Sequence, residues 1–400
     1  MAVPVQELEL PALDVLGAER DRALAQVADA RRRHWLARTP LGFAVTTYED
    51  TVSVLRERRF HSALSALRDL AAGAPDEFFA RRRQSILSME GEPHARLRRL
   101  VAPAFTPASA DRLRPVMQEV MEGLVDAVAE RGRGELVAEV CEPYPVPVIC
   151  ELLGAPKEDA PLFSAWATDI FRIFNQDLAA DAPRIARAAA ELEEYVTDLI
   201  ERRRRSPADD LLSALIAVEE AGDRLSTEEL VMLAEAVLMA GTDTTRNQLA
   251  CSLALLADHP LQWARLAEDP SLAKGTVEET MRYLGAVRAT ARIASEDIEY
   301  RDVLFPAGTL VSVSLAGANR DPSVFDAPDT LDIAAGRSNQ LTFGSGIHHC
   351  LGAALARAEL QEALVILSRR LPGLAPDGPV EWKPPTFGIW GPSRLPARWG

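Results

Sequence analysis

The chain has 400 residues, 48% of them hydrophobic, and a formal net charge of -15. The apolar content supports a large core, and length alone suggests two or three domains, although some enzyme folds of this size are single units. The acidic balance argues against a general nucleic-acid binder, which carries a basic field.

The N-terminal stretch MAVPVQELELPALD has early acids and no apolar run of signal-peptide length. No window approaches the ~18 apolar residues of a spanning helix. The four cysteines include no C-x-x-C pair, which argues against a disulfide framework and for a reducing compartment. A cytoplasmic protein that meets neither membrane nor nucleic acid is expected. Three arginine runs, Arg31 to Arg33, Arg81 to Arg83 and Arg202 to Arg205, read as solvated faces or loops; a docking site for an acidic partner is the minority reading.

Along the chain, Phe43 to Thr47 reads as a strand. Helical spacing predicts helices over Asp111 to Arg131 and Ile185 to Arg205. The aromatics Phe163, Trp166, Phe171 and Phe174 lie between them, and either substrate contact or core packing accounts for them. Ser226 and Glu229 form a capping-box pattern. The helix they open is predicted to run to His259-Pro260, far beyond the mean helix of about 11–12 residues. Leu230 to Ala240 is apolar apart from Glu235, so this helix should pass through the core. Its middle breaks local rules. Gly241 costs about 1 kcal/mol against Ala, and Thr242, Asp243, Thr244 and Thr245 compete for backbone hydrogen bonds. The plain reading is hydroxyls bonded to their own turn; the sharper one is a bend that marks a site. A helix over Leu272 to Tyr283, strands at Ile298 to Tyr300 and Leu310 to Ser314, and a helix over Leu351 to Arg370 complete a mainly α pattern.

The strongest feature is Leu341 to Gly352, LTFGSGIHHCLG. Gly344, Gly346 and Gly352 surround one cysteine and permit tight turns with close backbone approach. Cys350 then stands at the start of the last helix, where free N–H groups and the dipole stabilise an anion. A lone cysteine is most often a small buried hydrophobe, but the glycines disfavour that here. A zinc site of His348, His349 and Cys350 needs adjacent side chains to converge. A nucleophilic cysteine needs a separate base and orienting acid. A haem thiolate fits best, since a cysteine thiolate on haem iron favours O–O cleavage.

Phe343 to Gly352, F-G-x-G-x-H-x-C-x-G, resembles the haem-binding signature of cytochromes P450 of the soluble bacterial type. Ala240 to Thr245 resembles that family's oxygen-binding motif, Glu279 to Arg282 its E-x-x-R pair, and Pro93 to Arg99 its P-x-H-x-x-x-R helix. The resemblance implies a mainly α cytochrome P450 fold with a small β-rich lobe, spanning residues 1–400 as one domain. It implies haem b (iron protoporphyrin IX) with Cys350 as axial thiolate and metal ligand, and Phe343 packed on the thiolate side. Gly344, Gly352, Ala240 and Gly241 would lie against the haem, with the helix kinked at Gly241 to admit O2. His94, Arg98, Arg292 and His348 would bind its propionates. Asp243 and Thr244 would deliver protons to bound oxygen, and Glu279 with Arg282 would be a structural ion pair. The family's F-D-x-x-R is displaced: Asp332 is followed by Arg337 two residues late, so Arg337 or Arg320 would complete the pair. Arg288, in a segment that is usually apolar, would either grip an anionic substrate or face solvent or a propionate. The pocket would be formed by the loop before His94, the Phe163 to Phe174 region, the helix near Ala240, Arg288's segment, and Phe387 to Trp390 with Ile389.

The function implied is a monooxygenase that inserts one atom of O2 into a small organic molecule, apolar or aromatic, with an anionic group where Arg288 grips it. Nothing in the chain resembles a fused electron-transfer domain, so a ferredoxin and its reductase would supply electrons. Arg96, Arg99 and Arg112 would form the docking patch. The rivals are a peroxygenase, dehydratase or isomerase on the same fold, and a non-catalytic haem carrier or sensor.

Overall fold

The computed structural model describes the chain except Met1 and residues 16–17, 64–83, 175–177, 222–224 and 385–388. Fourteen α-helices are described: α1 (Arg20–Arg33), α2 (Tyr48–Arg56), α3 (Gly91–Val101), α4 (Pro107–Arg112), α5 (Arg114–Asp126), α6 (Pro145–Leu153), α7 (Ala160–Ile170), α8 (Leu178–Arg205), α9 (Leu211–Glu220), α10 (Thr227–Ala257), α11 (Pro260–Glu268), α12 (Ala273–Tyr283), α13 (Leu315–Ala318) and α14 (Ala353–Arg370). The largest apolar cluster is helical. Residues such as Met117, Met121, Ile149, Leu238, Leu253 and Leu364 bury there, from α5, α6, α10 and α14.

A smaller apolar cluster sits under a five-stranded sheet. Its strands β1 (Leu36–Thr39), β2 (Gly42–Val45), β3 (Phe60–Ser62), β4 (Ala289–Ala294) and β5 (Leu310–Ser314) lie in the order β1-β2-β5-β4-β3. Phe43 pairs parallel with Val311, which pairs antiparallel with Arg292, which in turn faces Ser62. In β5, Val311 and Val313 are buried and their neighbours only partly so, the alternation of a strand with one face on a core. This is the β-rich lobe expected beside a helical body.

The long central helix matches its prediction. The Ser226 hydroxyl accepts from Glu229 N–H and the Glu229 carboxylate accepts from Ser226 N–H, so the capping box is complete. Pro260 then opens α11 after the non-helical His259. Gly241 leaves no break: α10 runs as one 31-residue helix. The glycine serves close packing instead. A Cβ at Gly241 would stand 2.2 Å from Ile149 Cδ1 of α6. The predicted helix over Asp111 to Arg131 is in fact α4, α5 and a short turn, divided at Leu113, and Pro115 opens α5.

Two of the arginine runs are not simply solvated. Arg31 donates to the carbonyls of Gly317 and Arg320 and ties α1 to α13. Arg203 and Arg204 pair with Asp210 and Glu219, joining α8 to α9. Arg81 to Arg83 lie outside the described residues.

Candidate active site

The cysteine loop is fixed to both halves of the molecule. Gly344 and Gly346 adopt φ of 71° and 75°, in the left-handed region that favours glycine. A Cβ on Gly346 would come within 2.1 Å of the Leu55 carbonyl oxygen, so the loop packs on α2 through bare backbone. Thr342 Oγ1 donates to Met281 O and accepts from Asn319 Nδ2, which anchors the loop to α12 and α13. Cys350 N–H donates to Phe343 O at 2.9 Å.

Cys350 exposes surface on one side, while the protein packed around the rest is dense enough that burial pushes its thiol up. The Gly352 N–H bonded to it and the guanidinium groups of Arg98 and Arg357 oppose that shift and favour the thiolate. Gly352 precedes α14 with an ordinary φ of -80°, so it is not there for positive φ. A Cβ on Gly344 or Gly352 would meet no protein atom within 4 Å, so both leave bare backbone beside the cysteine. Arg357 stacks 4.4 Å over the Phe343 ring and pairs with Glu278. His348 turns to Glu90 and His94, His349 to Phe343 and Cys350 to the guanidiniums, so the three do not converge as zinc ligands.

The basic residues gather beside the loop. The His94 and His348 rings lie 4.6 Å apart. Arg98 donates to His349 O at 2.5 Å and lies close enough to Cys350 to stabilise its thiolate. Arg292 is buried on β4, donates to Ala291 O at 3.0 Å and senses the charge of Glu90. Burial, with the nearby His348 and Arg98, holds His94 down at about 4, so it is neutral near pH 7. Glu90 was not anticipated. It accepts from His348 Nε2 at 2.9 Å and from Ser62 N–H at 2.6 Å, a carboxylate within the basic group.

On α10, Thr244 Oγ1 donates to Ala240 O at 2.9 Å and Thr242 Oγ1 to Met239 O at 3.0 Å. The hydroxyls thus bond to their own turn, as the plain reading has it. Asp243 is 4% exposed, and Arg246 Nε donates to its Oδ1 at 2.5 Å. Arg246 was missed, although its i,i+3 spacing from Asp243 on a helix was a readable signal. Lys383, half-buried in the C-terminal segment, is a second cation near Asp243: burial lowers its pKa, and Asp243 opposes that.

Glu279 and Arg282 are each 1% exposed and joined by two hydrogen bonds of 2.8 and 2.9 Å. Arg337 completes the group, donating to Glu279 Oε1 at 2.7 Å. Arg320 does not: it bonds to Asp329 and Tyr283 O. The late position of Arg337 is bridged because Asp332 N–H also donates to Glu279, which curls residues 332–337 around that carboxylate.

Phe163 and Trp166 are buried against Tyr195, so these two aromatics belong to the core. Phe387 and the Phe174 side chain lie outside the described residues, as does most of the loop before His94. Val287 bridges Ile389. The Arg288 guanidinium lies 5.0 Å over the Trp390 ring, in a cleft with Arg20, Tyr283 and Leu284. The patch of Arg96, Arg99 and Arg112 is reduced. Arg96 is bound by Glu229, Arg99 pairs with exposed Glu92, and Arg112 is exposed.

A helical body, a small sheet lobe and a glycine-framed cysteine beside clustered basic side chains are the arrangement that the cytochrome P450 resemblance implies. The comparisons agree. The family profile described as Cytochrome P450 matches residues 160–372. Nocardicin C N-oxygenase of Nocardia uniformis subsp. tsuyamanensis is 41% identical over 371 residues, 90% of this chain and 91% of that protein. Mycinamicin IV hydroxylase/epoxidase of Micromonospora griseorubida is 39% identical over the same length and shares of each. P450BioI, solved with an acyl carrier protein carrying hexadec-9Z-enoic acid, superposes with a TM-score of 0.87 at 30% identity, covering 95% of this chain and 99% of its own. The chain belongs to the cytochrome P450 family and is a P450 monooxygenase, an oxidoreductase.

Proposed function

We propose that this chain binds haem b through the Cys350 thiolate and uses O2 to oxidise a small organic molecule. The observation that carries the reading is the surroundings of Cys350: burial raises its thiol, one backbone N–H and two guanidiniums oppose that shift, and the paired rings of His94 and His348 lie by the same loop. These residues fit a haem. A thiolate would face bare glycine backbone, Arg98 and Arg292 would supply charge for two propionates, and His94 and His348 would add ring N–H groups beside them. Bound there, the haem supplies the oxygen-splitting chemistry that a thiolate-ligated iron favours. Phe343, under Arg357, shields the thiolate from solvent.

The chain's own groups do the rest. Ala240 and Gly241 would lie against the haem face. Thr244 holds its hydroxyl in place through Ala240 O. Asp243, paired with Arg246, would pass protons inward to that hydroxyl. Glu279, Arg282 and Arg337 hold the segment before the cysteine loop. Val287 and Ile389 make an apolar wall for the substrate, and Arg288 rests on Trp390 beside it. The relatives' names differ both in substrate and in the bond oxidised, so the substrate follows from pocket residues rather than from the family.

Electrons come from an external ferredoxin and its reductase, with Arg99 and Arg112 as the exposed cations that meet an acidic partner. Residues 1–400 work as one catalytic domain in the cytoplasm. No helix among the described residues is long and apolar enough to cross a membrane.

The test is the absorbance difference spectrum of the reduced protein with and without carbon monoxide. A strongly red-shifted Soret band that Cys350→His abolishes supports the assignment. A band at the position of histidine-ligated haem in the unmodified protein overturns it. NADH-dependent product formation with a surrogate ferredoxin chain separates a monooxygenase from a peroxygenase or carrier.

A further inference from the structure

Glu359 lies on α14, the helix leading out of the cysteine loop, and is 1% exposed. None of the chemistry above uses it. Its Oε1 is buried without a hydrogen-bond partner among the described residues. One polar neighbour, the Thr245 hydroxyl, reaches the carboxyl. No cation among the described residues offsets its charge, and burial pushes the group well above the ordinary carboxylate range, which favours the protonated form.

Thr245 is 3% exposed and ends the oxygen-binding turn. Thr244, its neighbour, is bonded back to Ala240 O. The turn is therefore tethered to its own helix backbone through Thr242 and Thr244 and to α14 through Thr245. Tyr144 Oη donates to the Glu359 backbone carbonyl at 2.9 Å, which pins α14 at the same level from another side. An apolar side chain of this size would bury at less cost. What a buried polar contact adds is register: helices packed only through apolar contacts can slide, and a single buried polar partner selects one alignment.

We propose that Glu359 is a positioning residue for oxygen activation: through Thr245 it holds the Ala240 to Thr245 turn in register with the helix that carries the cysteine loop. This rests on reading that turn as the oxygen site. It adds that the alignment of Asp243 and Thr244 with Cys350 is set from the core behind them, by a group that touches neither substrate nor haem.

The test uses the haem-loaded enzyme with Glu359→Gln, Glu359→Leu and Thr245→Val. Three signals are read: the infrared carbonyl band of a protonated carboxylic acid, the infrared stretch of carbon monoxide added to the reduced enzyme, and hydrogen peroxide released per NADH oxidised with a surrogate ferredoxin chain. The acid band should vanish in Glu359→Gln, while that variant keeps a wild-type carbon monoxide stretch and peroxide yield. Glu359→Leu and Thr245→Val should broaden the stretch and raise the peroxide yield about threefold to tenfold, since small misplacements near reacting atoms carry large rate penalties. Wild-type behaviour of both overturns the proposal. So does Glu359→Gln damaging the enzyme as much as Glu359→Leu, which would assign the effect to proton supply. If Glu359→Leu fails to fold, Thr245→Val carries the same contrast. Loss of the red-shifted Soret band in the unmodified enzyme refutes the haem-thiolate reading instead, a separate result.

Discussion

The buried group around Glu279 gives the sharpest quantitative test. Glu279→Gln preserves shape and removes the charge, leaving Arg282, 1% exposed, without its countercharge. Arg282 also donates to the carbonyls of Asn319, Pro328 and Thr330, so it cannot swing out to water without breaking those bonds. Breaking one partner from a buried pair costs about 3–5 kcal/mol. With an unfolding entropy of about 2.1 cal/mol/K per residue, a chain of 400 residues loses about 4–6 °C in Tm. Calorimetry of the haem-loaded protein reads this directly. Arg337→Met removes one charged hydrogen bond to Glu279 and should cost about 1.5–3 kcal/mol. A double-mutant cycle should give Glu279 and Arg337 a coupling of about 1 kcal/mol or more, and Glu279 with Arg320 less than about 0.5 kcal/mol. A Tm loss in Glu279→Gln of under about 1 °C, or equal couplings for the two arginines, would refute the reasoning.

Gly241→Ala should destabilise by about 1–3 kcal/mol through overpacking against Ile149; Ile149→Ala should recover part of the loss in a double variant, read by chemical denaturation. Gly346→Ala meets both a backbone oxygen and an unfavourable φ, so purified protein should have low haem content by absorbance ratio. Ser226→Ala removes one half of the capping box and should cost about 1 kcal/mol, measured by urea titration. The pH dependence of Glu359 has a definite sign. Its folded pKa is raised, so the unfolded state alone loses the proton as pH rises past the ordinary carboxylate range, and that favours unfolding. Relative to wild type, Glu359→Gln should gain stability between pH 5 and 8 by up to about 1.4 kcal/mol per pH unit. A pH-independent difference in Tm would show that Glu359 is ionised in the fold.

The cysteine loop, the capping box and the E-x-x-R pair were legible because each is local: a few residues fix turn, cap or helical face. Strand β5 was legible for the same reason, through alternation over a few positions, and β2 as a short run of apolar residues. Arg246 was equally local and still escaped, since the Asp243 motif drew attention to hydroxyls rather than to the charge one turn on. Glu90, Arg357 with Glu278, and Arg96 with Glu229 were not legible. Their partners are far away along the chain, and only folding brings them together. Gly241 was read as a backbone weakness; its cause, Ile149, is on another helix. Phe163 and Trp166 were left open between substrate contact and core packing, because aromatic composition carries no information on which face of a helix meets the core.

Glu90 has a consequence for how this enzyme can vary. Its carboxylate gathers Ser62, at the end of β3, and His348, in the cysteine loop, to the residue just before α3. The two ends of the intervening stretch, which includes residues 64–83, are thus riveted to the same post. Chain inserted or deleted between them is closed by a frame that does not depend on it, and doubling such a segment costs only about 0.6 kcal/mol in closure entropy. Here is a cassette position: a place where a different length of chain can be spliced in while the cysteine loop keeps its footing.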